Sequence, residues 1–342
     1  MGDSRIEWTK LVWNATRGCS RVSEGCDNCW AIPQARRHDG PGGAYEGLTR
    51  IGKRGLDWSG RAILVPEKLV EPMRHRAPSK IFVNSMSDVA HESLKNEEIA
   101  AIFGVMALCP QHTFQILTKR PRRLLEWFRW ATATGQQHSG RAPQGLLPQT
   151  TPEVAACVAA AVEASPKVQQ MLKTNSVQWP LPNVWIGVSV ENQQTADERC
   201  PQLLEVPAAV RWVSYEPALG EVDFRRWLPG GSALGPSLDW VVVGGESGHG
   251  ARQFDVAWAR RVLSDFAGAG KPVFVKQLGA NALENGGPLP LNDSKGGDMD
   301  EWPPDVRIRQ FPEVSYGPGT RQARPGAAPS FPSEASKRRR GS

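Results

Sequence analysis

Short apolar runs alternate along this chain with longer stretches in which apolar residues recur every three or four positions. The runs Leu11–Asn14, Lys80–Asn84, Thr113–Leu117, Asn183–Val188, Val210–Ser214, Asp239–Val243 and Pro272–Val275 predict strands, with Ala62–Val65 a weaker one. The stretches Asn96–Leu108, Arg122–Ala133, Gln194–Leu204 and Val256–Ala269 predict helices. Asp255 is placed to cap the last helix and Gly270 to end it. Strands alternating with helices predict βα units and a parallel sheet.

Six or seven such units predict an α/β fold, a partial or complete (β/α) barrel of the TIM type, with a doubly wound open sheet as the alternative. The strand ends favour the barrel. Asn84 leads into Ser85 to Asp88, Leu117 into Thr118-Lys119-Arg120, and Val188 into Ser189-Val190-Glu191. Ser214 precedes Tyr215-Glu216, Val243 precedes Gly244-Gly245-Glu246, and Val275 precedes Lys276. Polar residues at the C-terminal ends of successive strands are where barrels build their sites; single Ser or Asp residues there also serve as helix caps. Residues 1–280 form the expected barrel. An Ala/Gln/Pro/Ser-rich insertion or lid falls at about 134–182, with one helix at Pro152–Ala164. Residues 281–342 are expected to be an irregular extension ending in a disordered basic tail.

Composition narrows the class. No apolar run approaches the roughly 18 residues of a membrane span, and no secretory signal is expected from the N-terminal residues. A cytoplasmic protein is the default. The 342 residues carry a net charge of +6, part of it in Lys337, Arg338, Arg339 and Arg340. Thirteen tryptophans accompany only three tyrosines. Basic charge with an aromatic excess is compatible with nucleic-acid binding.

Three of the six cysteines, Cys19, Cys26 and Cys29, crowd into one segment just after the first strand as C-x6-C-x2-C. Such a cluster points to a metal more than to disulfide bridges. Three thiolates from one loop can hold three irons of a [4Fe–4S] cluster and leave the fourth open. An open iron can be chelated by S-adenosylmethionine, whose reductive cleavage yields a 5′-deoxyadenosyl radical. A zinc site completed by His38 is the competing reading. Arg17, Arg21, Arg36 and Arg37 flank the cysteines and are candidates for favouring thiolates.

Gly18-Cys19, the C-x2-C pair and Trp30 directly after it resemble the radical S-adenosylmethionine signature, with three more residues between the first two cysteines than the usual C-x3-C-x2-C. The segments Trp13–Cys19, Asn84–Asp88, Ile116–Pro121, Trp185–Asn192, Ser214–Gly220, Val243–Gly248 and Val275–Gly279 resemble a phage-associated three-cysteine family of that kind. The resemblance spans about Trp8 to Gly279. It implies a [4Fe–4S] cluster and S-adenosylmethionine as cofactors, and an electron donor such as flavodoxin or ferredoxin. It further implies DNA as the partner bearing the substrate. The implied reaction is thymidine hypermodification in phage DNA, a radical isomerisation of a glycyl group on the thymidine methyl carbon. Radical repair of a damaged base, or a zinc-stabilised nucleic-acid-binding protein without catalysis, are the alternatives.

On this reading Cys19, Cys26 and Cys29 ligate the metal. Trp30, Asn84, Ser85, Ser87, Asp88 and Ser189 bind the cofactor. Glu191, Glu216, Glu246 and Lys276 are candidates for catalysis, because strand ends of a barrel converge on one pocket. Lys119 and Arg120 are candidates for holding a substrate phosphate or carboxylate. His91 and His249 lie near strand ends, where a lone histidine is usually a hydrogen-bonded structural residue. A base in duplex DNA would have to be flipped or unpaired to enter a barrel mouth, with tryptophans supporting it.

Overall fold

The computed structural model describes residues 1–53, 55–137, 146, 150–172, 177–231 and 235–313. An eight-stranded sheet organises it. Its strands are β1 (Gly2–Asp3), β2 (Leu11–Trp13), β3 (Lys80–Val83), β4 (Thr113–Thr118), β5 (Val184–Ser189), β6 (Val210–Tyr215), β7 (Trp240–Gly244) and β8 (Val273–Gln277). β1 pairs antiparallel with β2; from β2 onward all neighbours are parallel and follow chain order. The order never reverses, which separates this sheet from a doubly wound one. Among the described residues β2 and β8 are not paired, so the sheet is open at that seam.

The helices are α1 (Ala31–Arg36), α2 (Asn96–Ala107), α3 (Pro121–Gln137), α4 (Pro152–Ala164), α5 (Gln193–Glu205) and α6 (Val256–Gly268), with shorter pieces between. Asp255 caps α6 by accepting from the Ala257 amide at 2.8 Å, and Gly270 follows with φ 65°. The helix of the 134–182 insertion, α4, packs against α2. A Cβ on Gly104 of α2 would lie 2.2 Å from the Cys157 carbonyl, so the crossing requires glycine. Val154, Cys157, Val158 and Ala161 of α4 join the main core. From residue 281, short strands at Ala282–Glu284 and Gly287–Pro288 lead into a stretch in which Phe274 of β8 bridges Arg309 in antiparallel sense. The basic tail at Lys337–Arg340 lies outside the described residues.

Strand side chains alternate between two cores. Ile81, Val83, Phe114, Ile116, Val184, Ile186, Val213, Val241, Val243 and Val275 face the helices. Phe82, Trp185, Trp212, Trp240, Val242 and Phe274 face the other side, packed with Trp8. The Trp8 ring lies 4.8 Å from Phe82 of β3 and 6.3 Å from Trp240 of β7. Those strands are four places apart, or roughly 19 Å on a flat sheet. The sheet is therefore strongly curled around Trp8. Lys80 of β3 gives the same measure, with its Nζ 3.4 Å from the Phe311 ring, which packs on Trp240 and Phe274. Gly187 makes room inside the curl, because a Cβ there would sit 2.4 Å from the Trp212 ring. The tryptophan excess is thus mostly core; Trp30, 58% exposed, is the exception.

Candidate active site

The connection from β2 to β3 carries the cysteines, α1 and a hairpin (Thr49–Gly52 with Gly55–Trp58) across the C-terminal ends of the strands. A cavity of about 300 Å³ lies between this layer and the strand ends. Cys19, Cys26, Cys29 and Trp30 line it from above. Asn84, Ser85, Ser87 and Asp88 follow β3, Lys119 and Arg120 follow β4, and Ser189 ends β5. Glu216, Glu246 and Lys276 complete the wall. Of the residues proposed for ligation, cofactor binding, catalysis or substrate binding, Glu191 alone is not in the lining.

Bonding divides these polar groups into two sets. One set holds the cysteine loop. Glu191 is fully buried; it accepts from Ser23 Oγ at 2.9 Å and from Arg199 at 3.0 Å, with Lys119 Nζ at 3.4 Å. Burial alone would raise its pKa, yet the charges of Lys119 and Arg199 and the Ser23 hydrogen bond outweigh burial and lower it. Gly25 rests on that carboxylate, since a Cβ there would be 2.4 Å from Oε1. Glu246 accepts from Asn28, between Cys26 and Cys29, at 2.9 Å, and is clamped by Arg252 through both oxygens. Arg252 also donates to the Glu24 carbonyl at 3.0 Å.

Arg120 belongs to the same set. It donates to Ser20 Oγ at 2.7 Å, the Ser20 carbonyl at 3.1 Å, Asp88 at 3.0 Å and Glu92 at 2.9 Å, and its Nη1 lies 3.9 Å from Cys19 Sγ. Its donors are committed within the protein, so it positions the loop instead of waiting for a phosphate. Asp88 is likewise filled, accepting from Thr118 Oγ1 and the amides of Ala90 and Lys119. Ser87 Oγ donates to the Gly18 carbonyl at 2.6 Å. Arg21 bonds Asp57 at 2.8 Å and the Cys26 and Asp27 carbonyls, which makes it a loop brace too. His91 bonds Ser20 and Ser93, the structural role expected of a lone histidine; His249 is exposed.

The second set faces the cavity. Lys276 Nζ donates to Glu216 across β7, where Gly244 leaves the space; a Cβ on Gly244 would lie 3.4 Å from the Glu216 carboxyl carbon. Both partners remain partly exposed, at 16% and 19%. Asn84 adopts φ 63°, accepts from the Thr16 amide at 3.1 Å, and leaves its buried Nδ2 without a partner. A buried donor with no acceptor in the protein is costly unless a ligand or water supplies one.

The three thiols are free and half-buried. Burial first, then the charge of Asp88, pushes the Cys19 thiol up to about 12; burial also raises Cys29. Among the described residues no three His, Cys, Asp or Glu side chains are already gathered as a metal group. His38 is exposed and outside the cavity lining. Sequence reasoning missed Ser20, Asn28, Ser214 and Gln277, which also line the cavity. Ser214 was findable, because it pairs in register with Ser189 and shares its inward parity.

Fold and site together define an α/β protein with a cysteine-bearing loop clamped over a polar cavity at the ends of parallel strands. The chain belongs to the DUF5131 family, described as a protein of unknown function, whose sequence pattern spans residues 3–310. Comparison with curated proteins and with solved structures finds no match. Among the described residues no helix is long and apolar enough to cross a membrane.

Proposed function

We propose that this protein is a radical S-adenosylmethionine iron–sulfur enzyme built on a partial (β/α) barrel, acting on a nucleic-acid base or its appendage. Isomerisation of a glycyl group on a thymidine of phage DNA is the specific reaction proposed. The observation that carries the reading is the shared cavity: three free thiols of one loop on one wall, polar strand ends on the other. The donor set fits. Three soft sulfur donors of one loop line the cavity, and among the described residues no fourth protein ligand is gathered with them, which suits a cluster that keeps one iron open. Cys19, Cys26 and Cys29 would hold the cluster. Asn84, Ser85 and Ser189 would bind the cofactor, with the unpartnered Asn84 amide as one donor. When bound, the two cofactors would supply one-electron reduction of the sulfonium followed by removal of a hydrogen atom from substrate.

The chain's own residues do the rest. Glu191, Glu246, Arg120 and Arg21 fix the loop so that the thiols keep their place over the cavity. The Glu216–Lys276 pair offers opposite charges to polar groups of a substrate, and either member can hold or pass a proton. Trp8, Phe82 and Leu117 form the apolar floor of the cavity. The test is anaerobic reconstitution with iron and sulfide, reduction, and addition of S-adenosylmethionine. A brown protein that forms 5′-deoxyadenosine supports the reading. Colourless protein with one stoichiometric zinc overturns it. Products formed on irradiated DNA in place of modified DNA would move the assignment to base repair.

A further inference from the structure

We infer that the loop-and-hairpin layer over the cavity is the docking surface for a DNA strand, with bases against its exposed apolar side chains and phosphates on its exposed cations. This rests on the reading that the substrate is a nucleic-acid base. The exposed large apolar side chains among the described residues are Val22, Trp30, Ile51 and Ile63, all within the cysteine-bearing connection. Trp30 and Trp58 line the cavity itself. In the hairpin, Thr49 pairs with Trp58 and Ile51 with Leu56, so Trp58, Leu56 and Ile51 share one face. Trp58 and Leu56 pack with α1 and the cysteines, while Ile51, at 76% exposure, continues the same face into solvent. Trp30 at the cavity mouth and Ile51 at the hairpin tip are thus the exposed ends of an apolar layer whose middle, Trp58 and Leu56, is packed under α1.

Charge selects the occupant. Of the carboxylates in this layer, Asp57 and Asp27 pair with Arg21 and Asp39 with Arg36, while Glu46 and Glu24 are held by the Gly42 amide and Asn192 and keep their charge. Arg50, Lys53 and Arg61 are exposed and, among the described residues, form no ion pair. Exposed apolar side chains and unpaired cations in one layer, Arg50 on the other face of the hairpin from Ile51, suit an extended polyanion whose flat bases are accessible, which is a single or locally unpaired DNA strand. Trp30 then stands where a base passes from this layer into the cavity.

The test uses the full chain without S-adenosylmethionine and a fluorescein-labelled single-stranded oligonucleotide, read by anisotropy over a range of salt. Arg50→Glu with Lys53→Glu is expected to weaken binding by about tenfold or more and to flatten the salt dependence. Ile51→Ser is expected to weaken binding with the salt slope unchanged. Arg122→Glu with Arg129→Glu, the same charge change on exposed α3, is expected to have little effect. Equal loss from both charge reversals, no binding by the unaltered chain, or preference for anionic vesicles over the oligonucleotide overturns the proposal. Docking measured this way needs no cluster, so its failure and the failure of 5′-deoxyadenosine formation are separate results.

Discussion

Glu191 and Glu216 show how differently two carboxylates at successive strand ends are used. Glu191 is fully buried between Arg199 and Lys119, whereas Glu216 meets Lys276 at the cavity surface. Glu191→Gln is expected to destabilise the fold by roughly 3 kcal/mol, because it strands buried cations. Glu216→Gln is expected to cost at most about 1 kcal/mol, as a partly exposed pair does, while abolishing turnover of substrate. Denaturant unfolding and product formation measure the two effects. The pH dependence follows from the depressed Glu191 pKa. Its stabilisation is complete above the ordinary glutamate value of 4.5 and is lost as pH falls through the lower folded value. Unfolding midpoints between pH 7 and pH 3 (a window of about 4 units around that value) should therefore fall less steeply in Glu191→Gln than in the unaltered chain.

At the scale of elements, the cysteine loop takes its shape from strands far away in sequence. Gly25→Ala forces a Cβ against the Glu191 carboxylate, which Arg199 and Lys119 hold in place, so the loop must move instead. On the proposed iron–sulfur reading the expected outcome is poor iron incorporation, seen as reduced brown colour per chain, with unfolding stability changed by less than about 2 kcal/mol. The elements themselves were legible: β3 to β8 and α2 to α6 fall within a few residues of the apolar patterns, because inward and outward parity is written in each strand. The lining was legible too, since residues just past a parallel strand face one end of the sheet. The division into braces and cavity groups was not. Ser23 meets Glu191 and Asn28 meets Glu246 across long sequence separations, and no local pattern records such pairings. Arg120 illustrates the cost of local reading: its position suggested a phosphate ligand, while its donors are filled by Ser20, Asp88 and Glu92.

For the whole molecule, the curl of the sheet decides whether six strand ends can share one cavity. Trp8 sets that curl from within, touching Phe82, Trp212 and Trp240, and its carbonyl accepts from Gln115 of β4. Trp8→Ala is expected to cost about 3–5 kcal/mol and to lower the thermal midpoint. It should also raise the fluorescence of an apolar dye, as the cavity floor opens to solvent. Trp8→Phe, which keeps an aromatic ring at the centre, should recover most of the loss. An unchanged midpoint in the alanine variant would mean that the strand pairings alone impose the curvature.

The stretch ending at Phe311 runs alongside β8 toward the beginnings of the strands, and its ring reaches Lys80 on the far side of the open seam. Phe311 therefore lies at the end of the strands opposite the thiols. Cutting the chain before Ile308 removes the clasp by which this stretch ties β8 to β3 across the open seam.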